Sequence, residues 1–183
     1  MLTKSAAAFR LLLIVSFVTL PLAARAQTVS AACKPVLDAN TKEISTPHHL
    51  YTTTTSPAAP GKSQIGEVIS TPTASFVLYN GTWTRINMTP QANLDQMKEN
   101  LRNTKVYDCQ KQPDAVISGV PMFVYLAHSE NDMAKTDARF WVAKSTGLIY
   151  REDIDMDTGD ASEKRHVSER FDYANVQPPP GVK

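Results

Sequence analysis

Residues Phe140–Tyr173 read FWVAKSTGLIYREDIDMDTGDASEKRHVSERFDY. Three β-rich runs, 136–143, 148–156 and 163–173, are separated by two turn signals. Lys144-Ser145-Thr146-Gly147 predicts a three-residue loop with Gly147 in the left-handed conformation, which glycine adopts without steric penalty. That loop sets Lys144 against Leu148, Val142 against Tyr150 and Phe140 against Glu152. Asp157-Thr158-Gly159-Asp160 predicts a two-residue turn, which sets Tyr150 against Val167 and Glu152 against Arg165. Both turns gather Phe140, Val142, Leu148, Tyr150, Ile154, Val167, Phe171 and Tyr173 on one face, because side chains alternate along a strand. The other face takes Arg151, Asp153, Asp155, Lys164, His166, Ser168 and also Trp141. One apolar and one wet face define an antiparallel sheet packed on a single side.

Working upstream, strands are expected near 105–110, 114–118 and 122–129. Before them, Thr89-Pro90 opens a helix over 90–104: a capping hydroxyl followed by proline at the first helical position. Leu94, Met97 and Leu101 stand on one side of it. Asn80-Gly81 joins runs 75–79 and 82–88 in a two-residue hairpin. Leu78 then faces Trp83, and Phe76, Leu78 and Trp83 share a face. Strands 49–56 and 65–70 come earlier, after a short helix capped by Ser30 and ended by Thr46-Pro47. No regular strand–helix alternation supports a parallel doubly wound sheet. The expected fold is α+β: one highly curved antiparallel sheet, an open half-barrel, with two main helices in the order α-β4-α-β6.

Residues 1–26 read as a secretory signal peptide. Lys4 and Arg10 precede the apolar run 11–22, and Ala24-Arg25-Ala26 is a small-x-small cleavage site. The run is shorter than the roughly 20 residues a membrane span needs. The expectation is a periplasmic or secreted protein cleaved after Ala26, with residues 27–183 as a single β-rich domain and no transmembrane segment after cleavage. Removal of 1–26 takes away Lys4, Arg10 and Arg25 and no acidic residue. The net charge therefore moves from +1 over 183 residues to −2 over 157, and no basic footprint for nucleic acid remains. Two cysteines in an exported chain, Cys33 and Cys109, are expected to pair.

Chemistry-bearing patterns are sparse. Asp153, Asp155 and Asp157 alternate along a strand, but the glycine and bidentate-glutamate positions of a calcium loop are missing. His48 and His49 are neighbours on a strand and point to opposite faces. No cofactor, metal set or Gly-x-Ser-x-Gly nucleophile is expected. Glu152 on the apolar face is expected to form a structural ion pair with Arg165, and Asp153 one with Lys164.

The aromatic strand with Trp141, the Thr146-Gly147 turn, Leu148 and Arg151, the Asp157 and Gly159 turn, and the ending Tyr173, Val176, Pro179 resemble the terminal strands of the periplasmic lipoprotein-carrier (LolA/LolB-like) superfamily. The resemblance implies an open β-barrel with helices as a lid over an apolar cavity for acyl chains. Those carriers keep an arginine on an early strand, and strand 49–56 has none, so fold and apolar binding are implied rather than lipoprotein delivery.

The leading expectation is an exported non-catalytic protein that binds a lipid-like or other apolar small molecule. Its apolar ligand face would comprise Phe76, Leu78, Trp83, Leu94, Met97, Leu101, Phe140, Val142, Leu148, Tyr150, Ile154, Val167 and Phe171. The alternative is a secreted interaction or inhibitor module of cystatin-like or β-lactamase-inhibitor-like type. That module would have a solid core and bind another exported protein through Trp141, Tyr51 or Trp83. A third expectation is a small hydrolase or isomerase built on Glu152.

Overall fold

The computed structural model describes residues 28–182; the expected signal peptide and its cleavage position lie outside them. Strand β1 (Thr28–Val29) leads through a 3-10 turn (Ala31–Cys33) into α1 (Lys34–Ser45). Four strands follow: β2 (His48–Thr55), β3 (Ser63–Ser70), β4 (Ser75–Tyr79) and β5 (Thr82–Ile86). After α2 (Pro90–Arg102) come β6 (Val106–Ile117), β7 (Val120–Glu130), β8 (Lys135–Ala143), β9 (Ile149–Asp157) and β10 (Arg165–Asp172). The architecture is α+β, a curved sheet that does not close. Its order is β1-β6-β7-β8-β9-β10-β2-β3-β4-β5. Nine strands are antiparallel, and the two-residue β1 lies parallel to β6 at one edge. Two sequential meanders therefore meet where β10 pairs with β2.

Local chemistry explains the element ends. Thr89 Oγ1 accepts from the Ala92 N–H at 3.2 Å, with Pro90 in the first turn of α2. That satisfies one of the donors a helix start leaves free. Asn80 and Gly81 both have positive φ, so the β4–β5 turn matches the strand twist. Tyr79 faces Thr82 and Leu78 faces Trp83.

Three departures from the sequence expectation have physical causes. The strands expected at 105–110 and 114–118 are one strand, β6, with a register irregularity between Gln112 and Ala115. Pro113 lies inside it and has no N–H to give the ladder. Between β8 and β9, Phe140 faces Glu152, but Val142 faces Ile149 rather than Tyr150, across a bulge. Between β9 and β10 the turn is longer than two residues, and Glu152 faces Glu169 rather than Arg165. Side-chain and backbone bonds hold the longer loop: Asp157 accepts from Gly159 N–H and Asp160 from Ser162 N–H, each at 2.8 Å. The four-residue shift is even, so every side chain keeps its face.

Helix α1 packs on the inner face of β6–β9. Val36 and Ala39 join Tyr125, Ala127, Ala138, Phe140, Val142, Ile149 and Phe171 in the main core. The Cys33–Cys109 disulfide ties the turn before α1 to β6. A second, small core lies on the outer face. There Ile69, Ala74 and Phe76 pack with Trp83, Val176 and Val182 under the C-terminal stretch.

Candidate ligand-binding site

Strand register alone assigns the inner face. The row Phe140–Glu152–Glu169–Thr52–Gly66 crosses five strands, and the row Phe171–Leu50–Val68–Val77 crosses four. Helix α2 lies over this side and buries none of its residues fully, so space remains beneath it. One hollow of about 430 Å³ is lined by Ile44 of α1, Met97 and Gln96 of α2, and Leu50, Val68 and Val77 of the sheet. A second, of about 250 Å³, is lined by Asn40, Tyr107, Ala138, Phe140, Glu152 and Ile154. Ile44 and Met97 line both, so the two hollows adjoin at this pair. Pockets for small ligands span roughly 300–1,000 Å³ and are mostly apolar with a few placed polar groups.

The polar groups here are acidic. Glu43 at the end of α1 and His48 at the start of β2 form a buried ion pair, Nε2 to Oε1 at 2.9 Å. The other ring nitrogen of His48 lies 2.8 Å from the Thr46 carbonyl oxygen. Burial pulls the His48 pKa down, but the hydrogen bond and charge of Glu43, helped by Thr46, leave it above its ordinary value. Both nitrogens face acceptors, so the ring is suited to carry two protons. Glu152 keeps some open surface because it faces the smaller hollow, yet protein encloses it on its other sides. Desolvation first, then the charges of Glu169, Glu43 and Asp153, push its pKa well up. Glu169 is pushed up to about 7 by desolvation and by Glu43, partly offset by His48. Tyr107, in the wall of the smaller hollow, is raised to about 12 by desolvation and by Glu152.

The residues expected on one ligand face are divided by the structure. Phe140, Ile154 and Met97 line a hollow. Val142, Leu148 and Phe171 are buried, with Val142 and Phe171 in the core against α1. Tyr150 packs on Tyr173 at 5.7 Å between ring centroids. Val167 stands beside Ile154 on the inner face, and Leu94 and Leu101 are half-buried on α2. Phe76, Leu78 and Trp83 belong elsewhere. Their row continues from Arg151, Arg170, Tyr51 and Glu67 on the outer face, opposite Val77. The hairpin sequence shows that the three share a face but not which side of the sheet that face is.

The two expected ion pairs are also replaced. Asp153 pairs with Arg151 at 2.7 Å and accepts from the Ser168 hydroxyl. Lys164 pairs with Asp157 at 2.8 Å, and Arg165 faces Met156. Asp155 pairs with His166 at 2.8 Å, so the three alternating aspartates each have a separate partner. Among the described residues no group of three or more His, Cys, Asp or Glu could hold a metal ion. Trp141 stands on the outer face between Arg139 and Arg151, which lie 5.8 and 4.9 Å from its ring centroid. The sequence reading missed Glu43, His48 and Glu169. For Glu169 the signal was present: it alternates with Val167 and Phe171, which the same reading placed inward.

An open antiparallel half-barrel, helix-covered on one face, defines the structural class. The chain matches no protein-family model and no curated protein sequence. Among solved structures it is similar to LprF from Mycobacterium bovis, with TM-score 0.45 and 11% identity over 84% of this chain and 99% of that one. It is similar to the Mycobacterium tuberculosis lipoprotein LppX, with TM-score 0.41 and 13% identity over 79% and 100%. It is also similar to a LolA superfamily protein from Nitrosomonas europaea, with TM-score 0.29 and 8% identity over 82% and 96%. These are likenesses of fold at low identity. No helix among the described residues is long and apolar enough to cross a membrane.

Proposed function

We propose that this protein is an exported, non-catalytic binding protein that holds a lipid-like or other apolar small molecule between the inner sheet face and the two helices. The observation that carries the reading is the pair of hollows adjoining at Ile44 and Met97. An interaction module with a solid core would fill that space with side chains, since interiors pack to crystal-like density. The cover supports the same reading: α2 is amphipathic and capped, yet buries no residue fully. A helix held that lightly opens at low free-energy cost.

The test is recovery of ligand. The chain is purified from its exported form without detergent, extracted with organic solvent and examined by mass spectrometry. A stoichiometric apolar compound, lost on denaturation and rebound on refolding, is the expected result. Absence of any such compound, together with no binding of alkyl-chain probes by the delipidated protein, overturns the reading.

A further inference from the structure

We propose that the hollow takes a cationic amphiphile, a hydrocarbon chain ending in an amine, with the ammonium seated at Glu152. This rests on the reading of the hollow as an apolar-ligand site and specifies what the ligand carries at its polar end.

Four observations converge. Glu152 lines the smaller hollow, is half-buried and has no hydrogen bond or ion pair among the described residues. A carboxylate partly withdrawn from water without a partner is costly, and such charges are ordinarily paired. Its nearest ionisable neighbours carry the same sign: Glu169 faces it across the strands, and Glu43 adds its charge. The nearby cation, His48, already has both ring nitrogens engaged by Glu43 and the Thr46 carbonyl. Finally, among the described residues neither hollow is lined by lysine or arginine. An anionic headgroup therefore meets the Glu152 carboxyl and, as its one cation, a His48 already held by Glu43, and an uncharged headgroup leaves Glu152 without a partner.

The geometry also supplies room for the tail. The smaller hollow adjoins the larger one at Ile44 and Met97, and the larger one has apolar walls at Leu50, Val68, Val77 and Ile86. Desolvation, then the charges of Glu169, Glu43 and Asp153, raise the pKa of the free Glu152 carboxyl and so favour its protonated form. An arriving ammonium restores its charge, and the carboxyl proton passes to solvent.

The experiment titrates delipidated protein with decylamine, decanol and decanoate below their aggregation limits and reads the heat. Decylamine is expected to bind at least tenfold more tightly than decanol, with decanoate weakest. Glu152→Gln, isosteric and free of like-charge repulsion, is expected to bring decylamine to within threefold of decanol and to leave decanol unchanged. Equal affinities for amine and alcohol in the wild type overturn the inference while leaving the apolar-binding reading in place. So does a preference for amine that survives Glu152→Gln. Failure of all three probes to bind overturns both. The wild-type series decides by itself if the variant does not fold.

Discussion

Glu152 on β9 stands directly opposite Glu169 on β10, both on the helix-covered face. Like charges facing each other across a ladder are destabilising, and enclosure raises both pKa values. Glu169 moves from the usual carboxyl range to about 7. Between pH 4.5 and 7 the unfolded chain has lost this proton and the folded chain still holds it. Folded protein thus binds more protons in that window, and stability falls as pH rises through it. At one pKa unit per 1.36 kcal/mol the full effect is of order 3 kcal/mol. Thermal unfolding followed by circular dichroism is expected to give a higher Tm at pH 5 than at pH 8. Glu169→Gln is expected to raise the Tm mainly at the alkaline end.

The Glu43–His48 pair acts in the same direction through the opposite kind of group. The folded pKa of His48 is raised, so its contribution is complete below pH 6.5 and is lost as pH rises through the folded value. Truncating His48 to alanine leaves the largely buried Glu43 carboxylate without its cation. Breaking a buried pair from one side costs about 3–5 kcal/mol. Urea unfolding at pH 6 is the measurement. A cost below 1 kcal/mol would show that the pair is not formed in solution.

The Cys33–Cys109 bond closes a span of 76 residues and joins the base of α1 to the sheet. Constraining the unfolded chain over such a loop contributes about 4 kcal/mol in the entropic treatment. The double variant Cys33→Ser, Cys109→Ser is expected to lose 2–5 kcal/mol in urea. Reduction of the wild type should reproduce most of that loss.

Much of the fold was legible because its turns are local. Asn80-Gly81 fixes β4–β5, Thr89-Pro90 starts α2, and the β8–β9 register holds at Phe140–Glu152. Errors arose where a longer-range choice decided. The loop after Asp157 could close in two residues or more, and its capping bonds at Asp157 and Asp160 selected the longer form. The even shift kept the faces and changed the partners, so Glu152 lost its expected Arg165 and gained Glu169. The side taken by Phe76, Leu78 and Trp83 depends on β2 joining β10, a contact between distant segments that no local pattern encodes. The site inherited both effects: its apolar walls were partly visible, whereas its acidic cluster was read as a structural ion pair.

Gly66 continues the glutamate row, opposite Thr52 on β2. A Cβ added there would lie 2.7 Å from Thr52 Oγ1, closer than packed atoms tolerate. Thr52 is β-branched and stiff at χ1, so it yields poorly. Gly66→Ala is expected to destabilise the protein by about 1–3 kcal/mol, the range for overpacking. The double variant with Thr52→Ala is expected to recover most of it. A thermodynamic cycle in urea measures the coupling, and additive effects would refute the contact.

Met97 lines both hollows, from a helix that buries none of its residues fully. Met97→Trp adds volume where the two hollows adjoin. In a packed core such an insertion costs typically 1–3 kcal/mol through strain. In a hollow it gains apolar contact instead, at roughly 25 cal/mol per Å² of apolar surface buried. The expected outcome is therefore an unchanged or higher Tm together with a fall of at least half in the apolar compound recovered after purification. Unfolding by calorimetry and mass spectrometry of the solvent extract measure the two quantities on the same preparation. A lower Tm with undiminished ligand would place the bound molecule outside the space between Ile44 and Met97.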